Sequence, residues 1–199
     1  MKLEKIKGWD EYFTHVAGLA NGVSGTFVEM GFGKGESANR FVKLMNAGTI
    51  DKRDIYLMDS FEGFPPPTVE DTPGTAQRGQ WRVPMEPALA IKNKIDVKVE
   101  VVKGFFEKTA PEYSGSAIAI LHLDCDLYSS YMSCLSALYD KVVPGGVILF
   151  DEYISPIQKR NFPGAHIAID EFFADKDSTI EGFEFHNRST QKYFMIKKD

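Results

Sequence analysis

Five acids and one glycine loop are the residues through which this chain could do chemistry. Glu29-x-Gly31-x-Gly33-x-Gly35 lies between a β-rich run at 26–30 and a helical pattern that opens at Ser37. Glycines in such a loop let a ligand approach the backbone where a Cβ would block it. A dinucleotide fingerprint, Gly-x-Gly-x-x-Gly, aims a helix dipole at a pyrophosphate. Here the third glycine comes one residue early and an acid precedes the loop, an arrangement that repels pyrophosphate and favours a cationic ligand carrying an amino group. Asp59, closing the next strand, stands where a carboxylate accepts both ribose hydroxyls of a nucleoside. The plainer readings are a tight turn and a solvated strand-end acid. Gly104-Phe105-Phe106 offers an adenine wall, or simply core aromatics.

Asp124 and Asp151-Glu152 close two further apolar runs. An oxygen-only donor set with no cysteine or histidine suits a hard cation such as Mg²⁺. Asp126 reads instead as the cap of the helix that follows. His166, after Phe162-Pro-Gly164, is a rival general base and equally a surface histidine at a helix start, while His122 reads as a core residue. Trp81 and Phe64 read either as acceptor contacts or as loop anchors.

These residues need a frame to hold them, and the order of segments supplies one. Strand-like runs at 26–30, 54–59, 97–102, 117–123 and 147–150 alternate with helical patterns at 38–45, 128–139 and 165–173. The stretches 183–186 and 193–196 flank Asn187–Thr190 as a hairpin expected to close the sheet edge. Alternating β and α segments predict an α/β, doubly wound, mostly parallel sheet, with ligands at the carboxyl ends of its strands. Residues 62–83, rich in proline and glycine and without periodicity, are too long for an idle connection and read as a mobile cover over the site.

Length and composition bound the rest. With 199 residues, 43% of them hydrophobic and 26% charged, one globular domain spanning 1–199 is expected, with 1–25 as an amino-terminal helical segment. A net charge of −5 provides no footprint for nucleic acid or anionic lipid, so neither is an expected partner. Residues 117–121, the longest uninterrupted aliphatic run, fall far short of the roughly 20 residues of a spanning helix. Two cysteines nine residues apart make no disulfide framework, and no export signal is visible, so a cytoplasmic location is expected.

The stretches FVEMGFGKGESA, YLMDSFEGFP, VKGFFEKTAP and LHLDCDLYSSYMSCLSALYDKVVPGGVILFDEY, together with the AIDEFF helix, resemble the macrocin O-methyltransferase family. The LDxDLY…PGG…DEY block is the most specific part. The resemblance implies a class I, Rossmann-like methyltransferase with a mixed seven-stranded sheet, S-adenosylmethionine as cofactor and Mg²⁺ or another hard divalent cation held by Asp124, Asp151 and Glu152. Expected cofactor contacts are Glu29, Met30, Gly31, Gly33, Ser37, Asp59, Ser60, Phe61, Gly104, Phe105, Phe106 and Asp124, with Asp124 and His166 as candidate bases. Family members usually carry Asp-Asp where this chain has Asp151-Glu152, so the longer Glu152 side chain is expected to shift the metal or meet it through water. There is also a distant likeness to catechol O-methyltransferases, whose base is a lysine three residues past the first metal acid; here that position is Leu127. The expected activity is methyl transfer to a hydroxyl of a sugar or small polyol, in natural-product or glycan biosynthesis. A catechol or phenol acceptor, or a silent nucleoside-binding scaffold, are the alternatives. The partner is then a small-molecule hydroxyl acceptor, with a homodimer left open.

Overall fold

The computed structural model describes residues 3–186 and 190–198. Its strands are β1 (Leu3–Ile6), β2 (Thr26–Met30), β3 (Ile55–Asp59), β4 (Val99–Lys103), β5 (Ile118–Leu123), β6 (Val142–Phe150), β7 (Glu181–Phe185) and β8 (Gln191–Ile196). They form one sheet in the order β1-β7-β8-β6-β5-β2-β3-β4. Every pairing is parallel except those that β8 makes with β6 and β7. The helices are α1 (Trp9–Gly18), α2 (Glu36–Asn46), α3 (Glu86–Leu89), α4 (Phe106–Thr109), α5 (Tyr128–Leu138), α6 (Pro156–Asn161) and α7 (Pro163–Phe173). No helix among the described residues is long and apolar enough to cross a membrane.

Central strands β2 and β5 are buried along their whole length, which is why they read as continuous apolar runs. Their alternate residues serve two cores. Phe27 and Ile120 face one with Phe13 of α1 and Phe41 of α2, whereas Val28 and Leu121 face the other with Leu135 of α5 and Ile169 of α7. Each fully buried side chain of this kind contributes about 1.5–3 kcal/mol, and the two cores fix which way the strand ends point.

Two expectations about the frame change. The sheet has an eighth strand, because the amino-terminal segment is not helical throughout: Leu3–Ile6 pairs in parallel with β7 before α1 begins. The β7–β8 hairpin therefore does not close the edge. β8 lies inside the sheet and β1 covers β7, its exposed Glu4 and Lys5 giving the outer strand the charge that discourages further pairing. Residues 187–189 of the hairpin's connection lie outside the described residues.

The segment 62–83 is tied to the body at a definite point. Asp71, buried in a short 3-10 turn (Val69–Asp71), accepts from the Thr68 N–H at 2.8 Å and, through its other oxygen, from the Tyr128 N–H at 2.9 Å. Tyr128 is the first residue of α5, so a loop acid satisfies one of the amides that helix geometry leaves open. Asp126, expected as the cap, makes no such bond. A β-carbon on Gly164 of α7 would fall 2.0 Å from Asp71 Oδ1, so glycine there is what lets α7 close on the latch. Asp71→Ala should cost about 1–2 kcal/mol of stability in urea titration and speed proteolysis within 62–83. Unchanged stability and cleavage would mean that Asp71 does not hold the segment.

Candidate active site

The carboxyl ends of β2, β3, β5 and β6 open onto one cavity of about 390 Å³. Its walls include Gly31, Gly33 and Ser37 from the glycine loop and α2, Asp59 and Ser60 after β3, Phe105 and Phe106 after β4, and Asp124, Asp151 and Glu152. Of the residues expected from sequence, these ten come together. Gly104, Met30, Phe61 and His166 do not line the cavity, nor does Glu29.

Glu29 lies beneath the glycine loop rather than in it. Its register partner across the β2–β5 pair is His122, and Nδ1 of that ring stands 3.1 Å from Glu29 Oε1 with both side chains buried. Burial raises the Glu29 pKa, an effect that His122 only partly offsets. Burial works against a charge on His122 as well, yet Glu29, Asp124 and Asp151 outweigh it and raise its pKa. This pair is a supporting floor under the loop.

Asp59 fastens the loop from the side. It accepts the Phe32 and Gly33 N–H groups on Oδ2, at 2.9 and 3.1 Å, and the Phe61 N–H on Oδ1 at 2.7 Å. A carboxylate has about four acceptor positions, so one is left for a ligand hydroxyl. Gly31 brings the loop hard against β5: its φ is +97°, and a β-carbon there would sit 2.0 Å from the Asp124 carbonyl oxygen. The glycine spacing thus does two jobs, turning the chain and permitting that contact.

Four carboxylates meet at the ends of β5 and β6. Ligand oxygens of Asp124, Asp126 and Glu152 lie within 4.8 Å of one another. Asp126 has a left-handed backbone, φ +59°, and its N–H donates to Glu152 Oε2 at 3.3 Å. Tyr131 OH of α5 also lies 3.0 Å from that oxygen. Burial, then Asp151, pushes the Asp124 carboxyl up to about 7. Burial and the neighbouring carboxylates also raise Asp126 and Glu152. An oxygen-only set whose charges repel one another fits a hard divalent cation.

Asp151, expected as the third metal carboxylate, is differently engaged. It forms an ion pair with Lys192 of β8, whose ammonium also donates to the Asp151 carbonyl at 2.9 Å. Burial opposes ionisation of Asp151, but Lys192 and His122 hold its carboxyl below the usual range. Asp126 joins Asp124 and Glu152 in the tightest acid group, and Asp151 lines the same cavity beside them. The other expected base, His166, lies on the first turn of α7; burial and then Lys159 lower its pKa.

Several lining residues had no signal in the sequence. Trp9 reaches the cavity from α1, Arg40 from α2 and Phe162 from the α6–α7 junction, each brought in by packing between distant segments. Phe64 and Trp81 of the 62–83 segment also line it.

Sheet order, glycine loop and acidic strand ends together define a class I methyltransferase fold. The structure of the O-methyltransferase NovP matches it with a TM-score of 0.74 at 23% identity, covering 96% of this chain and 79% of that one. The macrocin-O-methyltransferase (TylF) family model matches residues 13–181, and the chain belongs to that family. Similar curated proteins are the mycinamicin III 3''-O-methyltransferase of Micromonospora griseorubida, 28% identical over 149 residues, and the 8-demethyl-8-(2,3-dimethoxy-alpha-L-rhamnosyl)-tetracenomycin-C 4'-O-methyltransferase of Streptomyces olivaceus, 30% identical over 144. These matches cover 69% and 68% of this chain, but only 59% and 55% of the two relatives, so the chain spans less than two thirds of their length.

Gly31→Ala adds both a steric clash and a disfavoured φ, and should cost at least about 2 kcal/mol. Gly33, at φ +52° with open space around its missing β-carbon, should cost only about 1–2 kcal/mol as Gly33→Ala. Equal denaturation midpoints for the two variants would contradict the close approach of Gly31 to Asp124.

Proposed function

We propose that this chain transfers a methyl group from S-adenosylmethionine to a hydroxyl of a sugar or small polyol, with a hard divalent cation at the acid cluster. One observation carries the reading: the glycine loop with Asp59 and the carboxylates of β5 and β6 line a single cavity and touch through Gly31 and Asp124. A donor nucleoside on the first half then lies beside an acid-bound hydroxyl on the second. Family membership and the rhamnosyl 4'-O-methyltransferase name of one relative support a sugar acceptor.

Methyl transfer from a sulfonium is an in-line displacement, so positioning and electrostatics do most of the work. Asp59 keeps the loop amides in place and offers its remaining acceptor position to a ribose hydroxyl. Hydrogen bonds of Asp124 and Asp126 run through their backbone N–H groups, to Met30 O at 2.9 Å and Glu152 Oε2 at 3.3 Å. Asp124 lines the cavity, where its carboxylate would hold the acceptor hydroxyl and take its proton. When bound among these acids, a divalent cation supplies Lewis acidity that lowers the hydroxyl's pKa and fixes its orientation. Phe64 and Trp81 wall off water and present apolar faces to the acceptor.

The test is transfer of a labelled methyl group from S-adenosylmethionine to a panel of deoxysugar and phenolic acceptors. A labelled sugar methyl ether should form, fall at least roughly 10²-fold in excess EDTA and return with Mg²⁺. Asp124→Asn should lower kcat by at least about 10²-fold. Transfer to phenols alone would move the reading to the catechol type, and donor binding without transfer to any acceptor would favour the silent scaffold.

A further inference from the structure

Trp81 lines the cavity at its rim, where it is 55% exposed and has a left-handed backbone, φ +60°. One exposed apolar side chain is ordinary on a protein surface. A bulky residue in that conformation is not, and it persists only where the surrounding structure holds it. Here the hold is visible. The Gly79 N–H donates to Phe64 O and the Phe64 N–H to Gln80 O, both at 2.9 Å, while the Gln80 N–H donates to Gln77 O at 3.0 Å. A β-carbon on Gly63 would fall 2.4 Å from the Gly79 carbonyl oxygen, so the two arms of the segment touch at the base of this turn. Backbone bonds thus fix an indole, half in solvent, beside the opening of the site.

Positive charge surrounds it. Arg78 and Arg82 flank Trp81 in the chain and are exposed, and Lys34 of the glycine loop is an exposed residue of the cavity wall. None of these three forms an ion pair among the described residues, although the chain carries a net charge of −5. The site's other cations are already engaged: Arg40 lies 3.5 Å from Asp10 and 3.6 Å from Glu36, and Lys192 pairs with Asp151. With a cavity of about 390 Å³ shared by donor and acceptor, whatever extends beyond one sugar ring must pass over the rim.

Building on the proposed methyl transfer, we propose that the acceptor is a sugar nucleotide, with its sugar in the cavity, its diphosphate beside Lys34, Arg78 and Arg82, and its base stacked on Trp81. Indole and base meet as flat π faces, and a guanidinium fork matches phosphate oxygens. A neutral glycoside would use the indole but leave the three cations without a partner, and a free sugar would use neither. Trp81, Arg78 and Arg82 are then specificity residues for the acceptor. The donor nucleoside, placed on Asp59 by the same reading, does not depend on them.

Calorimetry with uridine diphosphate and thymidine diphosphate tests this on the chain saturated with S-adenosylhomocysteine, in EDTA so that no cation bridges the diphosphate to the acid cluster. The intact chain should bind at least one of the two. Trp81→Ala and the double variant Arg78→Gln/Arg82→Gln should each weaken that binding at least roughly 10-fold. Their S-adenosylhomocysteine affinity should stay within about twofold of the parent, which also shows that the fold is kept. If the chain binds S-adenosylhomocysteine but neither diphosphate, or binds a diphosphate equally well in both variants, the proposal is overturned and methyl transfer to a neutral sugar stands. Loss of S-adenosylhomocysteine affinity in Trp81→Ala would assign the indole to the donor and overturn it too. An intact chain that binds no S-adenosylhomocysteine would instead bring down the methyl-transfer reading itself.

Discussion

The parallel register of β5 and β6 is the constraint on which the site depends. Leu123 pairs with Phe150, so the residues that follow, Asp124 and Asp151, leave the sheet side by side, with Asp126 and Glu152 close behind. Four carboxylates brought together by backbone geometry repel one another and lose hydration. The surrounding structure reads as a response to that cost. β8 enters the sheet beside β6 and delivers Lys192, and α5 delivers Tyr131.

The same strand ends couple the two halves of the cavity. Gly31 rests on the Asp124 carbonyl, Asp59 holds the amides of Phe32 and Gly33, and Glu29 with His122 fills the space below. A shift in the acid cluster therefore reaches the glycine loop through backbone contact rather than through flexible side chains. The Asp71 latch joins the 62–83 segment to the start of α5, four residues beyond Asp124.

Much of this frame was legible in the chain because it is local. Apolar runs ending in an acid or glycine mark the strand ends, and that rule picks out Asp59, Asp124, Asp151 and Glu152, all of which line the cavity. The misses share one cause, that the deciding contact joins distant segments. Leu3–Ile6 is short and half charged, and only pairing with β7 makes it a strand. Lys192 looks like a surface lysine of a hairpin until β8 is placed beside β6. Asp126 sits at a cap position by spacing, but Asp71, 57 residues from Tyr128, takes that role and leaves Asp126 to the cluster. Glu29 showed its type but not its direction: period-two alternation turns it to the α1–α2 face, under the loop rather than into the cavity.

A crystal grown with S-adenosylhomocysteine and soaked in Mn²⁺ tests the metal-assisted transfer most directly. The expected result is one anomalous-scattering peak among the carboxylates at the ends of β5 and β6, beside the bound nucleoside. No peak beside a bound nucleoside would contradict it.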